Sequence, residues 1–314
     1  MRNVKGQSLI PFIESLRDII SREKILELII KDLKKDQGNN LLSIYGIGSY
    51  FDSNLPSDWI QNDIDIIAIV NSLNPIPKQD WTEVRFEKRK IEEIDVWIGF
   101  NTIEGLQEKN RFQLESFANY EWSLIDLKFS KNSKLLYGKN IRDQLPNIEE
   151  IEFDYDDILI RSFYHLEKSL KKTRDSRDAL KSFMEFTKAV FKFGFYLCVF
   201  LDNHYRLTSI TATAKKLENF LIIEKIDKKV LDFFMEAINF RRKSQFGKDF
   251  KILRTNFIIY TSTLFIKGNL HRKMSFEELK IFLVSRFNQF PLLINFLNKV
   301  KKKYYQSKLK IDEN

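Results

Sequence analysis

A single cysteine, Cys198, stands among 314 residues, with only four methionines, six prolines and ten glycines. One thiol cannot close an intramolecular disulfide, and no Cys/His cluster has zinc-ligand spacing, so a disulfide scaffold and a zinc module are both excluded. Long apolar runs are missing as well. The longest uncharged one, residues 193–201 (FGFYLCVFL), falls far short of the roughly 18 to 20 residues that a spanning helix needs. The opening stretch, MRNVKGQSLIPFIESLRDII, interrupts its apolar residues with charge every few positions and does not read as a secretory signal. The expectation is a soluble, reduced, cytoplasmic protein. What is present is enough for a core: 43% hydrophobic and 14% aromatic residues rule out wholesale disorder.

The net charge of +9 is an average over unlike halves. Residues 151–314 hold 32 Lys and Arg against 19 Asp and Glu, an excess of 13, whereas residues 1–150 hold 20 against 24. Seven of the ten Gly, five of the six Pro and all four Trp precede residue 150, but 21 of the 28 Phe follow it. Gly and Pro punctuate short elements, and long stretches poor in both suit helices. The division predicts two domains, 1–150 and 151–314.

In the first half, apolar residues at helical spacing over 8–35 predict two helices, ended by DQGNN at 36–40. LLSIYGIGS then reads as a buried strand running into a turn at Gly48-Ser49. NDIDIIAIV (62–70) and IEEIDVWIGF (91–100) read as alternating strands, with a further strand at 122–127 and helix near 103–117. Pro75 and Pro77 keep NSLNPIPKQ out of a central strand.

The chemistry-bearing residues fall on these strands. Side chains alternate along a strand, so Asp63 and Asp65 share a face while Ile64 and Ile66 take the other. Paired carboxylates repel each other, and a divalent cation such as Mg²⁺, which takes hard oxygen ligands, reverses that penalty. In the later strand Glu93, Asp95 and Trp97 share a face, so Asp95 joins the pair if its strand lies beside 62–70. At Gly48-Ser49 a glycine admits close approach of backbone amides to a phosphate, and the serine hydroxyl can bond it.

This order of strand, Gly48-Ser49, Asp63-x-Asp65 and a third acid at Asp95 resembles the DNA polymerase-β-like nucleotidyltransferase superfamily. KLLYGKNI (134–141) is similar to the stretch that closes such domains, with Asn140 where an acid is common. The resemblance covers roughly residues 25–145. It implies that Asp63 and Asp65 bind two Mg²⁺ ions around a nucleoside triphosphate such as ATP. It further implies that Asp95 completes the site as metal ligand or base, and that Gly48 and Ser49 hold the terminal phosphates. Two-metal phosphoryl transfer rests on positioning and charge neutralisation, which suits this residue set.

The second half reads as helices over 152–174, 178–203, 209–221, 226–240, 251–267, 275–286 and 289–306. Phe183, Phe186, Val190, Phe193 and Leu197 form an apolar stripe, which at this spacing is core. The arrangement resembles the helical domains of kanamycin-type nucleotidyltransferases, including HEPN-like bundles. A HEPN-type nuclease would need Arg, four to six residues, then His. Arg161 and His165 have only three residues between them, so that activity is rejected and His165 is read as packed or surface.

Basic clusters at Arg241-Arg242-Lys243, at Lys248, Lys251 and Arg254, and over 299–310 (KVKKKYYQSKLK) form the footprint expected for a phosphate backbone. The expectation is an α+β protein: a small mixed-sheet nucleotidyltransferase domain followed by a helical bundle. It would transfer AMP to an acceptor hydroxyl, with a tRNA-like RNA 3′ end favoured. The alternatives are a small-molecule or protein hydroxyl, or a non-catalytic nucleic-acid-binding module.

Overall fold

Asp63–Val70, DIDIIAIV, turns β-branched and small side chains to both faces after an acidic start, and forms the central strand β2 of a five-stranded sheet. In this computed structural model the described residues are 22–61, 63–77, 85–91, 94–107, 120–128, 131, 133–150, 155–242, 250–267, 275, 278–279, 281–282 and 290–299. The chain divides into two compact units. One is Met1–Asp154 with His204–Thr213, and the other is Tyr155–Asn203 with Ala214–Asn314.

In the first unit β2 is joined by β1 (Leu41–Ile47), β3 (Arg85–Ile91), β4 (Ile94–Asn101) and β5 (Ser133–Gly138), in the order β3-β4-β2-β1-β5. β2 and β4 run parallel and the other neighbours antiparallel, so the sheet is mixed. Helix α1 (Arg22–Gln37) presents Ile25, Ile29 and Leu33, about one turn apart, to one face. They pack with Ile64, Ile66, Ala68, Val96, Ile98 and Phe100. The opposite face buries Tyr45, Ile67 and Ile69 against Leu106 of α2 (Ile103–Gln107) and Leu124, Ile125 and Leu127 of α3 (Tyr120–Lys128). At about 1.5–3 kcal/mol per buried aliphatic side chain, these two layers fix the register of β2 and hence the direction in which its first residues point.

Two local expectations change, and one strand is added to those expected. Residues 122–127 form helix rather than strand; an apolar run of this length has no periodicity that separates the two. β3 has no counterpart among the expected strands: RFEKRKI is rich in charge, and charge is how an edge strand avoids pairing with other chains. IEEIDVWIGF does not run as one strand: Ile91 ends β3 and pairs with Ile94, which opens β4. The helical expectations over 8–21 and 108–117, and residues Glu92 and Glu93, lie outside the described residues.

The second unit contains α4 (Tyr155–Ser169), α5 (Ser176–Leu201), α7 (Lys228–Phe240) and α8 (Phe250–Lys267), with further helix over 291–299; α6 (Ile210–Ile222) belongs to it from Ala214 onward. Asp175 and Asp227 cap α5 and α7, accepting from the amides of Asp178 at 2.8 Å and Lys229 at 2.9 Å. Every member of the Phe183, Phe186, Val190, Phe193 and Leu197 stripe is buried. Gly194 makes room for Phe234, whose ring would lie 2.4 Å from a Cβ added there. The buried carboxylate of Glu167 accepts from the amides of Leu292 at 3.0 Å and Leu293 at 2.6 Å, a charged cap on helix 291–299. Among the described residues no helix is long and apolar enough to cross a membrane.

Candidate active site

β1 ends at Ile47, and Gly48 turns the chain with φ of 76°, a left-handed conformation that glycine adopts without strain. Its carbonyl accepts from the amides of Phe51 at 3.0 Å and Asp52 at 3.1 Å, closing a tight turn. The Phe51 ring folds back over Gly46, where an added Cβ would meet it at 2.1 Å. No helix follows; turns run from Ser49 to Asp58. Ser49 is tied to the approach to β2: its hydroxyl donates to Gln61 Oε1 at 3.3 Å, and Gln61 Nε2 donates to the Ser49 carbonyl at 3.1 Å.

Register brings the acids to this turn. Asp65 pairs with Ile47, the residue before Gly48, and a Cβ on Gly48 would lie 3.1 Å from Asp65 Oδ2. β4 lies beside β2 with Asp63 opposite Asp95 and Asp65 opposite Trp97. Partners on adjacent parallel strands point to the same face, so the three aspartates share one. Farther along that face lie the buried Ile67 and Ile69, which anchor it. All three acids are half-buried.

The edge strand completes two rows across the sheet. Lys88 pairs with Trp97, and Lys90 with Asp95. One row therefore reads Ile47, Asp65, Trp97, Lys88, and the next reads Asp63, Asp95, Lys90. Lys88 Nζ lies 2.7 Å from Asp95 Oδ2 and 5.0 Å from the centre of the Trp97 ring. The other face of β3 turns inward, where Arg89 reaches Asp36 of α1 at 2.8 Å.

The donor set is hard oxygen, which suits Mg²⁺, and an ammonium already sits against Asp95, so this end of the sheet favours positive charge. Among the described residues no three Asp, Glu, His or Cys side chains are drawn together as a closed metal centre. The Lys88 pair holds Asp95 toward β3, while Asp65 lies toward Gly48. Residues that fit the ions are thus Asp63, Asp65 and Asp95, with Gly48 supplying the close approach.

Other residues have structural duties. Asp52 accepts from the Asn54 amide at 2.9 Å and from Ser209 Oγ at 3.2 Å, so His204–Thr213 of the first unit secures the loop after Gly48. Asn140 Oδ1 accepts the Tyr45 hydroxyl at 3.0 Å, and that hydroxyl accepts the Ile141 amide at 2.8 Å. His165 Nδ1 lies 2.8 Å from Glu185 Oε2, and burial lowers its pKa to about 4, which leaves it neutral near pH 7. Of the basic clusters, Arg241 is buried and donates to Thr187 Oγ1 at 3.4 Å. Arg254 is half-buried and donates to the Ser169 carbonyl and to Ser182 Oγ at 3.1 Å. Residues 243–249 and 300–314 lie outside the described residues. Lys88 and Lys90 reach these rows from a strand that the sequence patterning does not mark; the available signal is the alternation of Phe86, Lys88 and Lys90 with Arg85, Glu87 and Arg89.

No protein-family model matches the chain, and no curated protein does. Among solved structures, a spectinomycin adenyltransferase AAD(9) from Enterococcus faecialis, crystallised with ATP and spectinomycin, is 12% identical over 90% of this chain and 100% of its own, with a TM-score of 0.41. A nucleotidyltransferase-like protein from Exiguobacterium sibiricum is 11% identical over 92% of each chain, with a TM-score of 0.27. Both superpositions are loose.

Proposed function

We propose that this chain is a metal-dependent nucleotidyltransferase that moves AMP from ATP to an acceptor hydroxyl, with an RNA 3′ end as the favoured acceptor. The observation that carries this reading is the convergence of a left-handed Gly48 turn on Asp65, with Asp63 and Asp95 in register beside it on adjacent parallel strands. Turn and acids come from different parts of the chain, and a solvated surface has no need to place them together.

Asp63 and Asp65 would hold two Mg²⁺ ions, and Asp95 would complete the set. When bound, the ions supply charge neutralisation on the triphosphate and at the attacking oxygen. The amides near Gly48 and the Ser49 hydroxyl bind the β- and γ-phosphates, once the latter exchanges its bond to Gln61 for one to phosphate. The acceptor oxygen bonds to the α-phosphorus, the bond from that phosphorus to the α,β-bridging oxygen breaks, and pyrophosphate leaves with the electron pair. The hydroxyl proton passes to the Asp95 carboxylate. The helical unit would correspond to the HEPN-like bundle of kanamycin-type enzymes. The burial of Arg241 removes one cation from its RNA footprint.

The test is incubation with labelled ATP, Mg²⁺ and total RNA, protein or small-molecule acceptors in separate arms. RNA should be labelled, and Asp63→Ala or Asp65→Ala should lower the rate by at least about 10³-fold, equivalent to about 4 kcal/mol of barrier. Label on a small molecule or on protein alone would keep the chemistry and replace the acceptor. No label in any arm would remove the enzyme reading and leave a nucleic-acid-binding module.

A further inference from the structure

Among the described residues of the sheet, Trp97 is the one exposed large apolar side chain, at 37%. A single exposed tryptophan is ordinary; its setting is not. The ring is flanked by Phe86 at 6.1 Å and by the Lys88 ammonium at 5.0 Å from its centre. Phe86, Lys88 and Lys90 share its face, because they pair across the antiparallel ladder with Gly99, Trp97 and Asp95.

The order across the sheet assigns sides to the site. Gly48 follows β1, Asp63 and Asp65 lie on β2, Asp95 and Trp97 on β4, and the two lysines on β3. If the triphosphate occupies the Gly48 end, as proposed above, the acceptor must approach Asp95 from the β3 end. Adjacent strands are about 4.8 Å apart, so an acceptor whose hydroxyl meets Asp95 lies over or beside Trp97.

We infer that Trp97, Lys88 and Lys90 form the acceptor platform, and that they fit a single-stranded nucleic-acid end. The terminal base stacks on the indole while the lysines meet its phosphates, the pairing of aromatic surface and positive charge that single-stranded nucleic acids use. A polycationic small molecule would instead meet two ammonium groups. This inference rests on the nucleotidyl-transfer reading for its sense of direction; its residues are not the three acids themselves, although Lys88 touches one of them, Asp95.

Binding of a fluorescent single-stranded RNA with a free 3′ hydroxyl, followed by anisotropy on the full chain, tests it without turnover. Trp97→Ala should weaken RNA binding about 10-fold, in the range measured for one stacked base, and Trp97→Phe should restore most of it. Lys88→Gln with Lys90→Gln should make the slope of log K against log salt shallower by about 0.7 for each phosphate no longer neutralised. ATP binding, read by equilibrium dialysis, should be unchanged by Trp97→Ala. RNA affinity indifferent to Trp97→Ala overturns the platform, as does an effect on ATP alone, which would put Trp97 on the donor side. Trp97-dependent RNA binding with no label transferred to any acceptor supports the platform while removing the transfer reading. Labelling of protein or a small molecule with Trp97-independent RNA binding does the reverse.

Discussion

The helical unit and strand β3 both carry positive charge, but they place it differently. Arg241 is 2% exposed and bonded to Thr187, and Arg254 reaches between the Ser169 carbonyl and Ser182. Lys88 is 43% exposed at the side chain and stands with Lys90 at the edge of the sheet, level with Trp97 and the acids. A guanidinium offers five donors in a fixed fork and is suited to tying carbonyls and hydroxyls inside a bundle, whereas an ammonium on a flexible stem keeps its hydration and can turn to an incoming anion. The half with the larger excess of positive charge thus places part of it in its own interior, and the acidic half presents cations beside its candidate site.

The sharpest way to break this contrast is to remove one cation of each kind. Arg254→Ala should cost about 3 kcal/mol of stability in urea titrations, since it strips donors from groups inside the bundle. Lys90→Gln should change the same midpoint hardly at all. Equal losses would erase the distinction.

A second test uses acid. His165 packs on Glu185, and burial lowers its pKa to about 4 from 6.5. A base depressed on folding binds more protons unfolded, so its stabilising contribution is complete above pH 6.5 and is lost as pH falls toward 4. Urea midpoints should therefore drop between pH 6.5 and 4.5 by the equivalent of about 2 kcal/mol, and His165→Gln should flatten that slope. A flat wild-type profile would show that His165 is charged in the bundle.

Gly48→Ala sharpens the contrast at the site end. It forces a side chain into φ of 76° and against Asp65, at a cost of about 1–2 kcal/mol. Loss of ATP binding, read by equilibrium dialysis, should exceed loss of stability. The smallest effect is expected from Lys88→Gln, below about 0.5 kcal/mol in stability, because its pair with Asp95 is solvated. A larger loss would make Lys88 a structural cation like Arg254.

What can be read from the chain alone follows from the same contrast. Alternation in DIDIIAIV sets the face of Asp63 and Asp65, and apolar flanks mark Asp95 on a strand; the parallel pairing then sets Asp95 opposite Asp63. The Phe stripe of α5 is legible because helical burial repeats at a fixed spacing. β3 is not, since a charged edge strand and a solvated loop have the same composition. Arg241 and Arg254 look like their lysine neighbours until the packing that buries them is known. Alternation puts Trp97 on the right face but gives it no role, because the cations beside it come from another strand.

The bond from Ser209 to Asp52 joins residues 157 positions apart within one unit. During synthesis the loop after Gly48 leaves the ribosome long before its partner exists. All of Tyr155–Asn203 must be made before His204–Thr213 can settle on the first unit. The candidate active site is therefore finished late in translation, and a chain arrested at residue 154 would carry all three aspartates without the segment that secures the loop after Gly48.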